Sequence, residues 1–444
     1  MNIKNNTDRL HFCYRCDHPN FKKYVDYLYD KITDYYKDTN KFKGIRKDYI
    51  ESKKTHISGI MLHLLMSSLN NKKINYPRKK DAYIKPKNSK KSRYRSLKGF
   101  SYNYTMAIID YLEETKMINN YIGDKYKNTE SIMTATNKMI SEIKNLNISK
   151  PYLFKELVVL KASKKTNKNK PRLEYSDDKI TNKIREEIEF INTELTKYKF
   201  NLIWDFDEEN NKKLWKDFKV FFRNKYKYNW NDLFYDKMRY HRSFSDNFNL
   251  GGRWYGIWPQ DHCPKHLRKY ICIDDNRSVE LDFKSIHPSI LFSMENLDIP
   301  EDCYQLDNYD ISDRPIIKNA LMRMLNSDSR INALNSLRNE FNKGELGYTE
   351  NVPTCENKHL NPILDDLFIK HESISKYFYS DIGKFLQYKD SELAKSIMFS
   401  LFKINIPNIC IHDSFIVRKF DKDLVKGIMV EEFENMFGKK IFVK

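Results

Sequence analysis

The sequence predicts an α+β protein, with a helical N-terminal region carrying a short β wing ahead of a C-terminal half built on antiparallel strands. Three observations lead there. Apolar residues recur at helical spacing in residues 56–69 (HISGIMLHLLMSSL) and 104–112 (YTMAIIDYL). Short β-rich runs, VELDF at 279–283 and NICI and FIV around 408–417, sit among amphipathic helices in the second half. At 444 residues the chain is too long for one ordinary core, and 12 glycines with 13 prolines leave little material for long linkers.

Taken in order, residues 1–150 offer the 56–69 helix, a basic stretch at 78–98 (RKKDAYIKPKNSKKSRYRSLK), the 104–112 helix, then MINNYIG at 117–123 as strand and turn. Helix, basic loop, helix and wing are the outline of a winged helix-turn-helix. In that fold a helix enters the DNA major groove and basic loops meet phosphates. The competing expectation is a helical domain whose lysines form a solvated face. Residues 151–240 run from a strand-like ELVVLKA to a helix-like IREEIEFINTELTKY and read as a connecting, thumb-like helical region without a chemical motif. Residues 241–444 hold nearly all of the chemistry.

The formal net charge of +19 favours polyanionic partners, nucleic acid first and an acidic membrane surface second. A chain rich in Lys, Asn, Ile and Tyr also carries the imprint of an AT-rich genome, which accounts for part of that charge. The N-terminal MNIKNNTDRLHF lacks the apolar run of a signal peptide, and no stretch has the ~20 apolar residues of a membrane span. Seven cysteines spread over the chain do not form a disulfide framework, so a cytoplasmic, reducing setting is expected. His11, Cys13, Cys16 and His18 cluster, and a Cys-x2-Cys pair is half of a structural zinc site. Without a second such pair, ordinary buried cysteines are the stronger expectation over zinc at Cys13 and Cys16.

Four motifs carry the chemistry. In VELDFKSIHPSIL, Val279, Leu281 and Phe283 alternate with Glu280 and Asp282, as in a strand with one buried face. Asp282 then sits near the strand end beside a helix start, a place suited to a divalent cation. In NICIHDSFIV two β-rich runs flank His412-Asp413-Ser414, a hairpin with an acid at its tip. Two such strand-borne acids can meet in adjacent strands and hold hard cations that bridge a nucleotide's phosphates. In RPIIKNALMRMLN, Arg314 and Lys318 share one helix face, with Arg323 further along, and can clasp a triphosphate. In NLGGRWYG two glycines precede Arg253, allowing the backbone to approach a ligand, and the following Trp254 and Tyr255 can stack on a base or sugar.

This order of elements resembles the palm and fingers of family A DNA polymerases and the related single-subunit, phage-type RNA polymerases. Those carry a Gly-Arg motif, motif A with its Asp, a fingers helix with Arg-x3-Lys, and motif C with His-Asp. Here they stand as Gly252-Arg253, Asp282, Arg314-x3-Lys318 and His412-Asp413. The block is also similar to a set of bacterial and mobile-element proteins in which a winged-helix-like region precedes the same motifs. DFKSIHPSI looks like motif A of family B polymerases too, but the Tyr-Gly-Asp-Thr-Asp motif of that family is absent.

The resemblance implies a polymerase-type right-hand palm and fingers over residues 241–444. It implies Asp282, Asp413 and the Phe283 backbone as holders of Mg²⁺ or Mn²⁺. Arg314 and Lys318 would contact a nucleoside triphosphate, with Lys318 a proton donor to pyrophosphate. Arg253, Tyr255 and His412 would meet a DNA primer–template. His287 stands where family A carries a sugar-discriminating Glu and family B a Tyr. Met322 replaces the usual fingers aromatic. The expected function is a metal-dependent nucleotidyltransferase, a family A-like template-directed DNA polymerase, with replication, repair, mobile-element maintenance and defence all open as its setting. The alternatives are a single-subunit-type RNA polymerase and a DNA-binding replication initiator with an inert palm.

Overall fold

The computed structural model describes residues 7–10, 14–16, 18–39, 41–42, 46–69, 71–80, 83, 101–124, 130–148, 151–153, 156–163, 171–202, 216, 238–261, 263–342 and 356–444. The chain forms two compact units: Met1–Glu156 with Asn231–Lys237, and Leu157–Trp230 with Met238–Lys444. It is an α+β protein, and most of its strand pairing is antiparallel. No described helix is long and apolar enough to cross a membrane.

The first unit runs β1 (Thr7–Arg9), β2 (Tyr14–Arg15), α1 (Pro19–Tyr35), α2 (Lys47–Leu69), β3 (Lys73–Tyr76), α3 (Tyr102–Glu114), β4 (Ile118–Tyr121), β5 (Ser131–Ala135), α4 (Asn137–Asn145) and β6 (Tyr152–Leu153). In α1, Phe21, Tyr24, Val25, Leu28 and Ile32 recur every three or four residues and form the buried stripe. From His56 to Ser67 every residue of α2 except Ser58 is buried, so this helix lies in the middle of the unit. It begins earlier than its apolar pattern, because the first turns are polar and carry no such signal. The strand expected at 117–123 forms as β4, inside a four-stranded sheet of order β1-β3-β5-β4 with β1 parallel to β3. Most of the basic 78–98 stretch lies outside the described residues. Arg78 bonds the Tyr76 hydroxyl and Asp110, and so is tied to its own unit.

The second unit continues with β7 (Val158–Lys161), α5 (Lys179–Leu195), β8 (Phe200–Leu202), β9 (Met238–Ser245), β10 (Asn247–Ile257), β11 (Ile271–Ile273), β12 (Asn276–Asp282), α6 (Ile286–Met294), α7 (Arg314–Asn326), α8 (Arg330–Asn342), α9 (Asn357–Lys370), α10 (Gly383–Lys403), β13 (Asn408–Ile411), β14 (Ser414–Arg418) and α11 (Lys422–Phe437). A short helix, Trp258–Asp261, follows β10.

Two sheets organise this unit: β10-β9-β7, and a five-stranded β13-β14-β12-β11-β8 in which every pairing is antiparallel. The ELVVLKA segment joins the first sheet as β7, parallel to β9, and α5 packs on β9. The Tyr240 hydroxyl of β9 both donates to the Cys410 carbonyl and accepts from its N–H, at 2.8 Å each. A side chain thus satisfies the edge of β13, which keeps the β13–β14 hairpin from fraying. Helix α10 lies across β10 with its stripe of Leu386, Leu393, Ala394, Ile397 and Leu401 buried. Helices α7, α8 and α9 pack on one another.

The glycines before Arg253 serve packing within the unit. They lie inside β10 at φ of +74° and +70°, where its register with β9 shifts, so they form bulges in a strand. A Cβ on Gly252 would come within 2.8 Å of Phe244 and 2.9 Å of Arg242. The close backbone approach expected toward a ligand is an approach to the neighbouring strand.

Candidate active site

The two acids of the sequence motifs come together through register. Strand β12 pairs with β14 so that Asp282 faces Ser414, and Ile411 pairs with Ser414 across the hairpin. That leaves His412 and Asp413 as the turn, with His412 at φ +60°. Asp413 therefore sits one residue from the cross-strand partner of Asp282, and both side chains line one pocket. Their shared surroundings register in the chemistry. Burial and then the nearby Asp413 charge push the Asp282 carboxyl above its ordinary value, against the pull of Lys444 and Lys318. Leu281 turns into the core at 1% exposure, as alternation requires. Glu280 shares the Asp282 face but is held by the Ser414 hydroxyl at 2.7 Å and Arg268 at 3.3 Å.

Beside these acids lies a buried ionic cluster that the motifs did not announce. Asp390 of α10 accepts from Arg253 at 2.5 Å and bonds His287 Nε2 at 2.9 Å, all on Oδ2. Its side chain is fully buried. Although burial disfavours its charge, the His287 hydrogen bond and the Arg253 charge hold the carboxyl below its ordinary value. The next two residues of α10 grip the same strands. Ser391 accepts from buried Arg242 through Oγ and from Trp254 Nε1 through its carbonyl, and Glu392 pairs with Arg242 at 2.8 Å. Arg242 also donates to the Gly252 carbonyl at 2.6 Å. One helical turn thus sets where Arg253 stands.

Arg253 and His287 line the acid pocket, as do Phe283, Tyr304, Met322 and Lys444. Phe283 buries its ring against Phe433. From α7, Arg314, Lys318 and Met322 line the pocket at four-residue spacing, so they share one side of that helix. Arg314 is held by Asp302 at 3.0 and 3.2 Å and lies over the Tyr304 ring. Lys318 has no ion-pair partner among the described residues. Arg323 does not join this face: it pairs with Glu340 of α8.

Tyr255 and His412 meet edge to face with ring centroids 5.6 Å apart, and Gln260 lies 3.5 Å from both His412 ring nitrogens. Burial, reinforced by Arg253, pushes His412 down to about 4, so it is neutral at physiological pH. Neither residue lines the acid pocket itself; they sit on its hairpin side. At the N-terminus, Cys13 and His11 lie outside the described residues. Cys16 is buried, and His18 caps α1 through Asn20 N–H.

Among the described residues no group of three or more His, Cys, Asp or Glu side chains is poised to hold a metal. Two partly buried carboxylates, one at the end of β12 and one in the adjoining β13–β14 turn, nevertheless form a hard oxygen donor set. Mg²⁺ is commonly held by one or two carboxylates with the remaining oxygens from substrate phosphate and water. The donor chemistry of Asp282 and Asp413 fits such an ion. No protein-family model and no curated protein matches the chain.

Proposed function

We propose that the second unit is a metal-dependent nucleotidyltransferase, a template-directed DNA polymerase with a family A-like palm. One observation carries this reading: Asp282 and Asp413, 131 positions apart, share a pocket with the Arg314–Lys318 face of α7. Carboxylates on a sheet floor with cations opposite suit a substrate that combines a divalent ion with a polyphosphate. In this reading Asp282 and Asp413 hold Mg²⁺ or Mn²⁺, with the Phe283 backbone beside them. Bound there, such an ion supplies charge neutralisation at the attacking and leaving oxygens.

The chain's own residues divide the remaining work. Lys318 would meet the triphosphate as a point charge and act as proton donor to the departing pyrophosphate. Arg314 reaches the phosphates by exchanging its Asp302 partner for them. Arg253, locked by Asp390, offers its guanidinium to the primer strand, and His287 packs beside the sugar. Tyr255 and neutral His412 form an apolar, edge-to-face surface for the primer end. The first unit, with its buried α2 and α3 and its β4–β5 wing, is proposed to be winged-helix-like and to bind DNA.

Primer extension tests the reading. The purified chain is given a labelled primer–template, Mg²⁺ or Mn²⁺ and either dNTPs or rNTPs, beside an Asp282→Asn/Asp413→Asn double variant. Template-dependent extension that the variant lacks is expected, and preference for rNTPs would move the assignment to the RNA polymerase branch. Folded protein that binds DNA but extends nothing under any condition would replace the assignment with a replication initiator carrying an inert palm.

A further inference from the structure

The strand that carries Asp282 has a second neighbour. Beyond the reach of β11, residues 441–444 run antiparallel beside its end. Asp282 and Lys444 exchange both backbone hydrogen bonds, at 3.1 and 2.9 Å, and Lys284 N–H donates to the Phe442 carbonyl. An antiparallel bridge joins Phe283 and Val443. Alternation sorts the side chains of this short segment. Ile441 and Val443 are buried, while Phe442 and Lys444 turn to the face that Asp282 occupies. The Lys284 ammonium lies 5.6 Å from the Phe442 ring centre. Lys444 Nζ lies 3.3 Å from Asp282 Oδ2 and lines the same pocket as Asp413.

We propose that Lys444 governs metal occupancy: its ammonium and the divalent ion compete for the Asp282 carboxylate, so that ion binding displaces Lys444. The inference rests on the metal-dependent reading above. A Mg²⁺ or Mn²⁺ ligand oxygen sits at about 2.0–2.2 Å, and a second cation on that oxygen at hydrogen-bond distance is repelled. Lys444 can leave without unfolding its segment, because that segment is held by backbone hydrogen bonds and by the buried Ile441 and Val443. Its side chain is 58% exposed, so the released ammonium is readily solvated. In its resting position the lysine also offsets the mutual repulsion of the two acids. Lys444 is thus a tuning residue that raises the ion concentration needed to fill the site.

The test is Mn²⁺ binding by the full chain, read from the electron paramagnetic resonance of free Mn²⁺, with no nucleotide and no activity readout. Lys444→Met keeps the aliphatic stem and removes the charge; it is expected to bind Mn²⁺ about fivefold more tightly than wild type. Lys444→Arg keeps the charge and is expected to stay within about twofold of wild type. The gain in Lys444→Met is expected to shrink at high salt, since it is electrostatic. Equal or weaker binding by Lys444→Met, or the same gain from Lys444→Arg, overturns the proposal. Asp282→Asn is measured alongside. If wild-type binding does not depend on Asp282, the metal-dependent reading falls and this inference with it. If binding depends on Asp282 but ignores Lys444, only this inference falls.

Discussion

Asp390 and Arg253 meet at 2.5 Å across the interface of α10 and β10, with the Asp390 side chain wholly out of solvent. His287 shares the same carboxylate oxygen. Helix α10 is therefore joined at one atom to two residues that line the acid pocket, Arg253 and His287, and the charge of Asp390 is compensated where it is buried.

Removing Asp390 should expose how strongly that atom is relied upon. Asp390→Ala leaves the Arg253 guanidinium buried without its counter-ion, a change that costs about 3–5 kcal/mol. Asp390→Asn keeps the shape and one acceptor and should cost less. Urea unfolding followed by tryptophan fluorescence reports both, since Trp254 is buried and donates to the carbonyl of Ser391, next to Asp390. Equal stability of wild type and Asp390→Ala would show that the cluster holds nothing together.

Asp282→Asn should behave in the opposite sense. Its carboxyl is pushed up by burial and by Asp413, so the ionised form is disfavoured in the folded chain. Neutralising it should leave stability unchanged or slightly raised and, on the proposed function, cut nucleotidyl transfer at least about a hundredfold. Thermal melts paired with primer extension would check both halves.

The two basic positions of α7 should separate cleanly. Lys318 faces the pocket, whereas Arg323 is committed to Glu340. On the proposed nucleotidyltransferase function, Lys318→Ala should lower kcat/KM for nucleotide by about a hundredfold, as expected for loss of a charged transition-state contact. Arg323→Ala should leave kcat/KM within about threefold and appear as a loss of thermal stability. Steady-state kinetics on both variants decides the matter, and equal losses would contradict the placement of Arg323.

Acid should destabilise the second unit through buried His371. Burial pushes His371 down to about 4, and its Nε2 is hydrogen bonded to the Cys303 carbonyl at 2.8 Å. Unfolded, the ring takes a proton below about 6.5, while folded it stays neutral to about 4. The unfolded chain thus binds the extra proton across that window, and stability falls as pH drops through it, by about 1.4 kcal/mol per pH unit for this one group. Asp390 acts in the same direction at lower pH: its depressed value contributes stability above the unfolded carboxyl range that is lost as the folded carboxyl is protonated. Urea midpoints from pH 7 to 4.5 should show a shallower slope in His371→Gln than in wild type.

How much of this was legible in the sequence depends on range. Asp282 and Asp413 stand out because each interrupts a β-rich run, a local signal. Their meeting at the Asp282–Ser414 register is not written in either motif, since it follows from how two distant strands pair. Asp390 lies between Lys389 and Ser391 and reads as a solvated position, yet it falls in line with Leu386, Leu393, Ala394 and Ile397. An acid within a buried helical stripe was the available clue. Lys444 had none, because a four-residue bridge has no periodicity to detect. The glycines of β10 were misread for a related reason: their positive φ shows only in the folded strand, where a bulge and a tightly packed Phe244 require it.

Helix α7 is packed along its length by Ile316, Ile317, Ala320 and Leu321, and its two ends are held by different means. Its last residues hold the chain that leads into α10, through Tyr379 N–H to the Met324 carbonyl at 2.7 Å and Asp381 N–H to Ser327 at 3.0 Å. Gly383 admits Asn326 so closely that a methyl group there would collide with it. The other end carries Arg314, tethered by a half-exposed pair with Asp302. Across about 20 Å of helix the hold thus changes in kind, from main-chain bonds at Met324 and Ser327 to a side-chain ion pair at Arg314.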